Sequence, residues 1–282
     1  ELTLRITEIM EEIGLVDIQK INPDLLIDMK YATNDNFMKM QLYDTLACIY
    51  LQRDVAVRLS KCQDLLDSIK PGYHLLVFDG VRPVQVQREM WNALDTVPKL
   101  DRGKYVSNPA LGSVHNFGAA VDLTIVDSMG NAIDMGANYD DFRDVAFPKY
   151  ESRFLKSGKL TEQQVNNRRL LRRVMRSQWF YNIPSEWWHF NAMNRVKASH
   201  KYKLLISESG DAKWFKIIEK DSIKADNVLD EVIIKAIRVN SESPVTHSNL
   251  SKEDISKRNL GQDIPVLMNF MPNVVTTSDA GA

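Results

Sequence analysis

Between residues 50 and 69, apolar side chains at Leu51, Val55, Leu59, Cys62, Leu66 and Ile69 recur at three- and four-residue steps. That is the period of an amphipathic helix, and Pro71-Gly72 stops it. The run from Tyr73 to Phe78 follows at once, short, apolar and aromatic-rich, and it is closed by Asp79-Gly80. Such a run between two turn signals reads as a buried strand. The chain thus delivers a helix through a tight turn directly onto a strand.

The same mixture continues downstream. Val84 to Leu94 reads as a second helix, followed by a Gly- and Pro-punctuated stretch to Gly112. Gly118 to Asp127 reads as a strand that alternates Ala120, Asp122 and Thr124 with Val121, Leu123 and Ile125. Thr161 and Gln164 form a capping box that opens a helix running to about Phe180, with Val165, Leu170, Leu171, Val174 and Met175 inward. Ile183 to Phe190 is again strand-like. Helices and strands without a regular βα repeat predict an α+β fold: a small antiparallel or mixed sheet flanked by helices. Near residue 218 the aromatics thin out and Ser, Asn, Lys and Asp take over, which sets a boundary between residues 1–218 and a mostly irregular extension, 219–282.

A net charge of −1, with acids and bases interleaved, gives no electrostatic footprint for nucleic acid. The Arg168-Arg169 and Arg172-Arg173 pairs read as a solvated helix face. No apolar stretch is long enough to span a membrane. Cys48 and Cys62 lack metal-type spacing and read as buried thiols in a helical stretch.

Two of the five histidines have informative neighbours. His115 lies in Gly112-Ser113-Val114-His115-Asn116-Phe117-Gly118-Ala119-Ala120-Val121-Asp122, and His189 closes Glu186-Trp187-Trp188-His189. Two imidazoles and a carboxylate leave one tetrahedral corner of zinc free, the arrangement of a catalytic site, and zinc lowers the pKa of water from about 15.7 to about 7. Glu186 is a general base in this scheme, provided a turn or bulge near the tryptophans brings it to the face of His189. On residue chemistry alone, a metal centre and two structural histidines stand equal. Arg82, just past a strand end and stiffened by Pro83, reads first as an ion-pair partner of Asp79; beside a zinc site it becomes a donor to a tetrahedral oxyanion.

These segments together resemble the zinc-dependent D-alanyl-D-alanine dipeptidases, the group that includes the enzyme of vancomycin resistance. The resemblance rests on Tyr31-Ala32-Thr33 with Asp35-Asn36-Phe37, on Asp79-Gly80-Val81-Arg82-Pro83, on Ser113 to Asp122 with its Leu-Thr extension, and on Glu186-Trp187-Trp188-His189, spanning about Gly14 to Phe215. It implies one Zn2+ held by His115, Asp122 and His189, Glu186 as the base, and Arg82 as stabiliser of the tetrahedral intermediate. It also implies a dipeptide substrate near Tyr31, Ser113 and Asp140, with Asp140 and Tyr31 at its ammonium group. The rival readings are a D,D-carboxypeptidase acting on longer muropeptides and a non-catalytic binding module. In the extension, Asp230 to Ala236, Ser243 to Thr246 and Leu250 to Thr277 resemble the energy-coupling box and plug start of TonB-dependent receptors, which implies a TonB-like partner. That envelope character and the absent initiator Met lean toward the periplasm, with the cytoplasm as the alternative.

Overall fold

The structure is a computed structural model that describes residues 2–215 and 217. The extension expected over 219–282, with its TonB-like segments, lies outside the described residues. In chain order the elements are α1 (Leu2–Glu12), β1 (Leu15–Asp17), α2 (Ile18–Ile21), β2 (Leu26–Ile27), β3 (Tyr50–Gln52), α3 (Arg53–Ile69), β4 (His74–Asp79), α4 (Val84–Ala93) and β5 (Ala120–Val126). There follow α5 (Glu151–Lys156), α6 (Glu162–Arg176), β6 (Tyr181–Ile183), β7 (Glu186–Asn191), α7 (Arg195–Lys201), β8 (Leu204–Leu205) and β9 (Ala212–Lys213). The main sheet has the order β2-β4-β5-β7-β6, with β2 parallel to β4 and the other pairs antiparallel. This is the α+β fold with a small mixed sheet.

One row across the sheet carries the polar chemistry. Asp79 of β4 pairs with Asp122 of β5, and Asp122 pairs with His189 of β7. Residues directly opposite one another share a face, so three chemically active side chains stand side by side. The alternate β5 residues Val121, Leu123 and Ile125 join the main core with Leu59, Cys62 and Leu66 of α3 and Leu171, Val174 and Met175 of α6. Every β5 residue is buried. Both faces of this strand are therefore covered, and the polar ones among them must find partners inside the protein.

Several elements depart from the periodicity. The helix expected from Tyr50 begins at Arg53, because Tyr50–Gln52 pairs with β1 and gives its backbone to neighbours on both sides: Val81 N–H donates to Tyr50 O (2.8 Å) and Gln52 N–H to Gly118 O (2.9 Å). Leu51 fits the helical phase only by coincidence of spacing. Helix α6 stops at Arg176, four residues short of Phe180. Trp179 takes a left-handed φ of 62°, its N–H donates to Arg176 O, and Phe180 N–H reaches back to Met175 O, a Schellman closure that folds Phe180 into the core. The strand-like segment 183–190 is a hairpin, β6 turning into β7.

The arginine pairs are not a solvated face. Arg168 is buried and donates to Met135 O (2.6 Å) and Val145 O (3.0 Å), and Arg172 grips Glu151 through two 2.7 Å bonds. Positions 168 and 172 are one turn apart, on the stripe that continues from Val165, so Arg168 satisfies loop carbonyls that the core would otherwise strand and Arg172 neutralises the buried Glu151 carboxylate. Only Arg169 and Arg173 are exposed. Of the two cysteines, Cys62 is a buried thiol on α3, whereas Cys48 lies in the loop before β3 and is half-buried. No described helix is long and apolar enough to cross a membrane.

Candidate metal centre and substrate pocket

His115 sits on a single 3-10 turn, His115–Phe117, between α4 and β5. Gly118 ends that turn with a φ of 65°, and a Cβ there would lie 2.5 Å from Leu15 Cδ2, so only glycine both reverses the chain and lets it pass β1. The reversal leads into β5 and brings Asp122 level with the turn. On the other side, the β6–β7 hairpin shifts register: Asn182 faces Phe190 but Ile183 faces Glu186, so the intervening residues of β7 bulge at Trp187 to His189. The bulge is the one that the spacing of Glu186 and His189 requires. It brings Glu186 Oε2 to 3.9 Å from His189 Nδ1.

His115, Asp122 and His189 converge, with one potential ligand atom from each lying within 4.8 Å of the others. His189 Nδ1 is 2.9 Å from Asp122 Oδ1 and 3.1 Å from His115 Nε2, and His115 Nε2 is 3.4 Å from Asp122 Oδ1. The outer nitrogens settle the tautomers. His115 Nδ1 donates to Gly80 O (2.7 Å) and His189 Nε2 donates to Asn191 Oδ1 (3.0 Å), since each of these oxygens can only accept. Two imidazole lone pairs and a carboxylate oxygen therefore point at one another, a cluster that demands a positive charge between them. The same demand appears in the protonation energetics. Burial alone would lower the His189 pKa, yet the hydrogen bond and charge of Asp122 raise it above its ordinary value. Burial would raise Asp122, and the two imidazoles hold it well below the carboxylate range. This donor set fits a divalent cation of borderline softness, and the outer hydrogen bonds are those that orient metal-binding histidines.

A cavity of about 230 Å³ opens beside these three residues. Arg82, Tyr31, Ser113, Asp140 and Glu186 also line it, so every residue expected at the site meets at one place. Its volume is below the ~300–1,000 Å³ common for drug-sized ligands and suits a small substrate. Arg82 is buried, and its Nε (2.9 Å) and Nη2 both donate to Asp79 Oδ2. The ion pair with Asp79 exists, but inside the protein, where it aims the guanidinium. Asp79 Oδ1 is held in turn by Tyr43 Oη (2.7 Å) and Gly80 N–H (3.0 Å). Among the described residues Nη1 of Arg82 has no acceptor, and it is the donor left for a ligand.

Asp140 accepts from Tyr31 Oη at 3.1 and 3.3 Å and adopts a φ of 57°, a left-handed conformation that Asp tolerates better than most residues. Burial, and then the negative charge of Asp122, push its carboxyl well above the ordinary range. Burial likewise raises Glu186. Ser113 Oγ donates to Gln87 Oε1 (2.8 Å), and Asn116 ties the same Gln87 oxygen (2.9 Å) to the backbone carbonyl of Arg82 (2.8 Å).

Other cavity or supporting residues carry no motif of their own, and Asn191, Gln87, Asn116, Tyr139 and Arg195 are not singled out by sequence. Asn191 was within reach of inference, because it lies two residues beyond His189 on a strand and hence on the same face. Tyr139, which donates to Asp122 Oδ2 (3.3 Å), sits in an irregular loop and gave no periodic signal.

A model of the D-Ala-D-Ala dipeptidase family of peptidases, Peptidase_M15, matches residues 11–207. The chain belongs to this family. It is 34% identical over 176 residues to a D-alanyl-D-alanine dipeptidase of Escherichia coli, a match covering 62% of this chain and 83% of the relative. It is 31% identical over 175 residues to the protein of that name from Synechocystis, covering 52% and 71%, and 30% identical over 194 residues to that of Enterococcus faecium, covering 64% and 91%. Peptidase_M15 members are metallopeptidases, and the converging triad is where this chain offers ligands to a metal.

Proposed function

We propose that this protein hydrolyses D-Ala-D-Ala to two molecules of D-alanine in cell-wall metabolism, with one Zn2+ held by His115 Nε2, Asp122 and His189 Nδ1. The observation that carries the reading is the convergence of an unpaired acidic base, a metal-type triad and an aimed guanidinium on one small cavity. When bound, zinc supplies Lewis acidity and makes hydroxide accessible near neutral pH.

The chain's own residues do the remainder. Glu186 makes no hydrogen bond among the described residues, so its carboxylate is free to take a proton from the attacking water and return it to the nitrogen of the departing alanine. Attack forms the new C–O bond and turns the carbonyl oxygen into an oxyanion, which Arg82 Nη1 stabilises while Asp79 fixes the other two nitrogens; collapse of this intermediate re-forms the carbonyl and breaks the C–N bond as the nitrogen takes its proton from Glu186. Asp140, with Tyr31, receives the substrate's ammonium group. Burial and the charge of Asp122 outweigh the attraction of Arg82 and make this carboxylate costly, and an ammonium ion beside it offsets that cost.

This last feature favours a dipeptidase over a carboxypeptidase acting on longer chains. Alanine release from D-Ala-D-Ala and from N-acetyl-D-Ala-D-Ala tests it. The free dipeptide should be the far better substrate, and Asp140→Asn should weaken it selectively. Equal rates on the two substrates, or equal losses in the variant, would reassign the enzyme to longer peptides.

A further inference from the structure

A dipeptide is a zwitterion, and Asp140, Arg82 and Glu186 provide for its ammonium, its carbonyl and its leaving nitrogen but not for its carboxylate. We propose that Arg195 binds the C-terminal carboxylate of the substrate, an inference that rests on the dipeptidase reading.

The donors around the cavity are few, and most are already spent. Ser113, the obvious neutral candidate, has one hydroxyl proton. Gln87 uses Nε2 to donate to Ser107 O (2.8 Å), so its Oε1 is an acceptor, and Ser113 Oγ gives its proton there. Toward the cavity Ser113 therefore presents lone pairs, which suit an N–H and repel a carboxylate. Its backbone N–H is also spent, on Asn116 Oδ1 (2.6 Å).

Three cationic side chains line the cavity: Arg82, Lys104 and Arg195. Arg82 is committed to Asp79 and lies 3.6 Å from Asp122. Lys104 is exposed and paired with Asp101 at 2.6 Å. Arg195, the first residue of α7, is half-buried and makes one hydrogen bond, Nη1 to Gly112 O at 3.2 Å. Among the described residues no carboxylate lies within ion-pair distance of it. The bond to Gly112 holds the guanidinium against the wall next to Ser113 and leaves Nη2 and Nε unused. A planar fork with two adjacent free donors matches a carboxylate in bidentate geometry.

Steady-state kinetics on D-Ala-D-Ala and on its C-terminal amide test the assignment, in the wild type and in Arg195→Ala, Arg195→Gln and Arg195→Lys. Loss of a charge-assisted contact should raise KM for the free acid by about tenfold to a hundredfold. The value of kcat should stay within about threefold and KM for the amide should be unchanged, with Arg195→Lys recovering part of the loss. The acid-to-amide ratio is measured within each variant, so partial misfolding does not mimic it, and zinc content should equal that of the wild type. If the wild type cleaves D-Ala-D-Ala and Arg195→Ala loses acid and amide equally, or neither, the assignment falls alone. A wild type that cleaves neither overturns the dipeptidase reading and the assignment with it.

Discussion

His189 donates Nε2–H to Asn191 Oδ1 at 3.0 Å, two residues along the same strand, and this bond fixes Nδ1 as the lone pair that faces Asp122 and His115. Replacing Asn191 by Leu keeps the shape and removes the acceptor, so the imidazole can rotate and change tautomer. Metal affinity should fall about tenfold to a hundredfold, as for other outer hydrogen bonds of metal-binding histidines. Chelator competition measures this, and an unchanged affinity would mean that packing alone orients the ring.

Glu186 lies 3.9 Å from His189 Nδ1, outside hydrogen-bonding distance and not among the three converging ligand atoms. Glu186→Gln should therefore retain one zinc per chain while losing about 10²- to 10⁴-fold in kcat, the usual contribution of a general acid-base group. Metal analysis together with single-substrate kinetics checks both parts. Near wild-type turnover in the zinc-loaded variant removes Glu186 from the mechanism.

For Arg82 the informative change is to Lys. Ala would leave Asp79 as an unpaired buried charge and destabilise the protein by about 3–5 kcal/mol, which confuses the kinetics. Lys keeps the charge but loses the fork that pairs with Asp79 and presents Nη1 to the cavity. Because an oxyanion exists only near the transition state, kcat should fall, by up to about 10²- to 10³-fold, with little change in KM. A rise in KM at constant kcat would place Arg82 on the ground-state substrate instead.

Legibility of the fold in the sequence depended on whether a signal was local. The β4 run, the capping box at Thr161 and the alternation across Asp122 are local patterns, and an element of the expected type stands at each, although the helix opened by Thr161 ends at Arg176, short of Phe180. Tyr50–Gln52 misled because a three-residue strand fits inside a helical period, and its partner β1 lies more than thirty positions upstream. Arg168 and Arg172 misled for a similar reason: arginine scores as surface, and the carbonyls of Met135 and Val145 that bury it cannot be seen from helix α6 alone.

At the site, residue types and spacing singled out His115, Asp122, Glu186 and His189, and the family resemblance added Tyr31, Ser113 and Asp140. Geometry then supplied what neither offered, the row Asp79, Asp122, His189 across three strands, and it met the condition that the spacing had set, the bulge at the tryptophans. The supporting residues Gln87 and Asn116 stayed hidden because their task is to hold other side chains, and such contacts come from folding, whereas Asn191 follows from its two-residue spacing to His189 along one strand.

Hydrolysis of D-Ala-D-Ala should depend on a metal ion at the His115–Asp122–His189 centre. The decisive measurement is alanine release by the purified 282-residue chain before chelation, after exhaustive chelation and dialysis, and after zinc is added back with the bound metal counted. Activity should disappear with the chelator and return in proportion to zinc, saturating at one ion per chain, and zinc should not rescue a His115→Ala protein. Undiminished hydrolysis by metal-free protein, or full rescue of His115→Ala at the same zinc concentration, would contradict it.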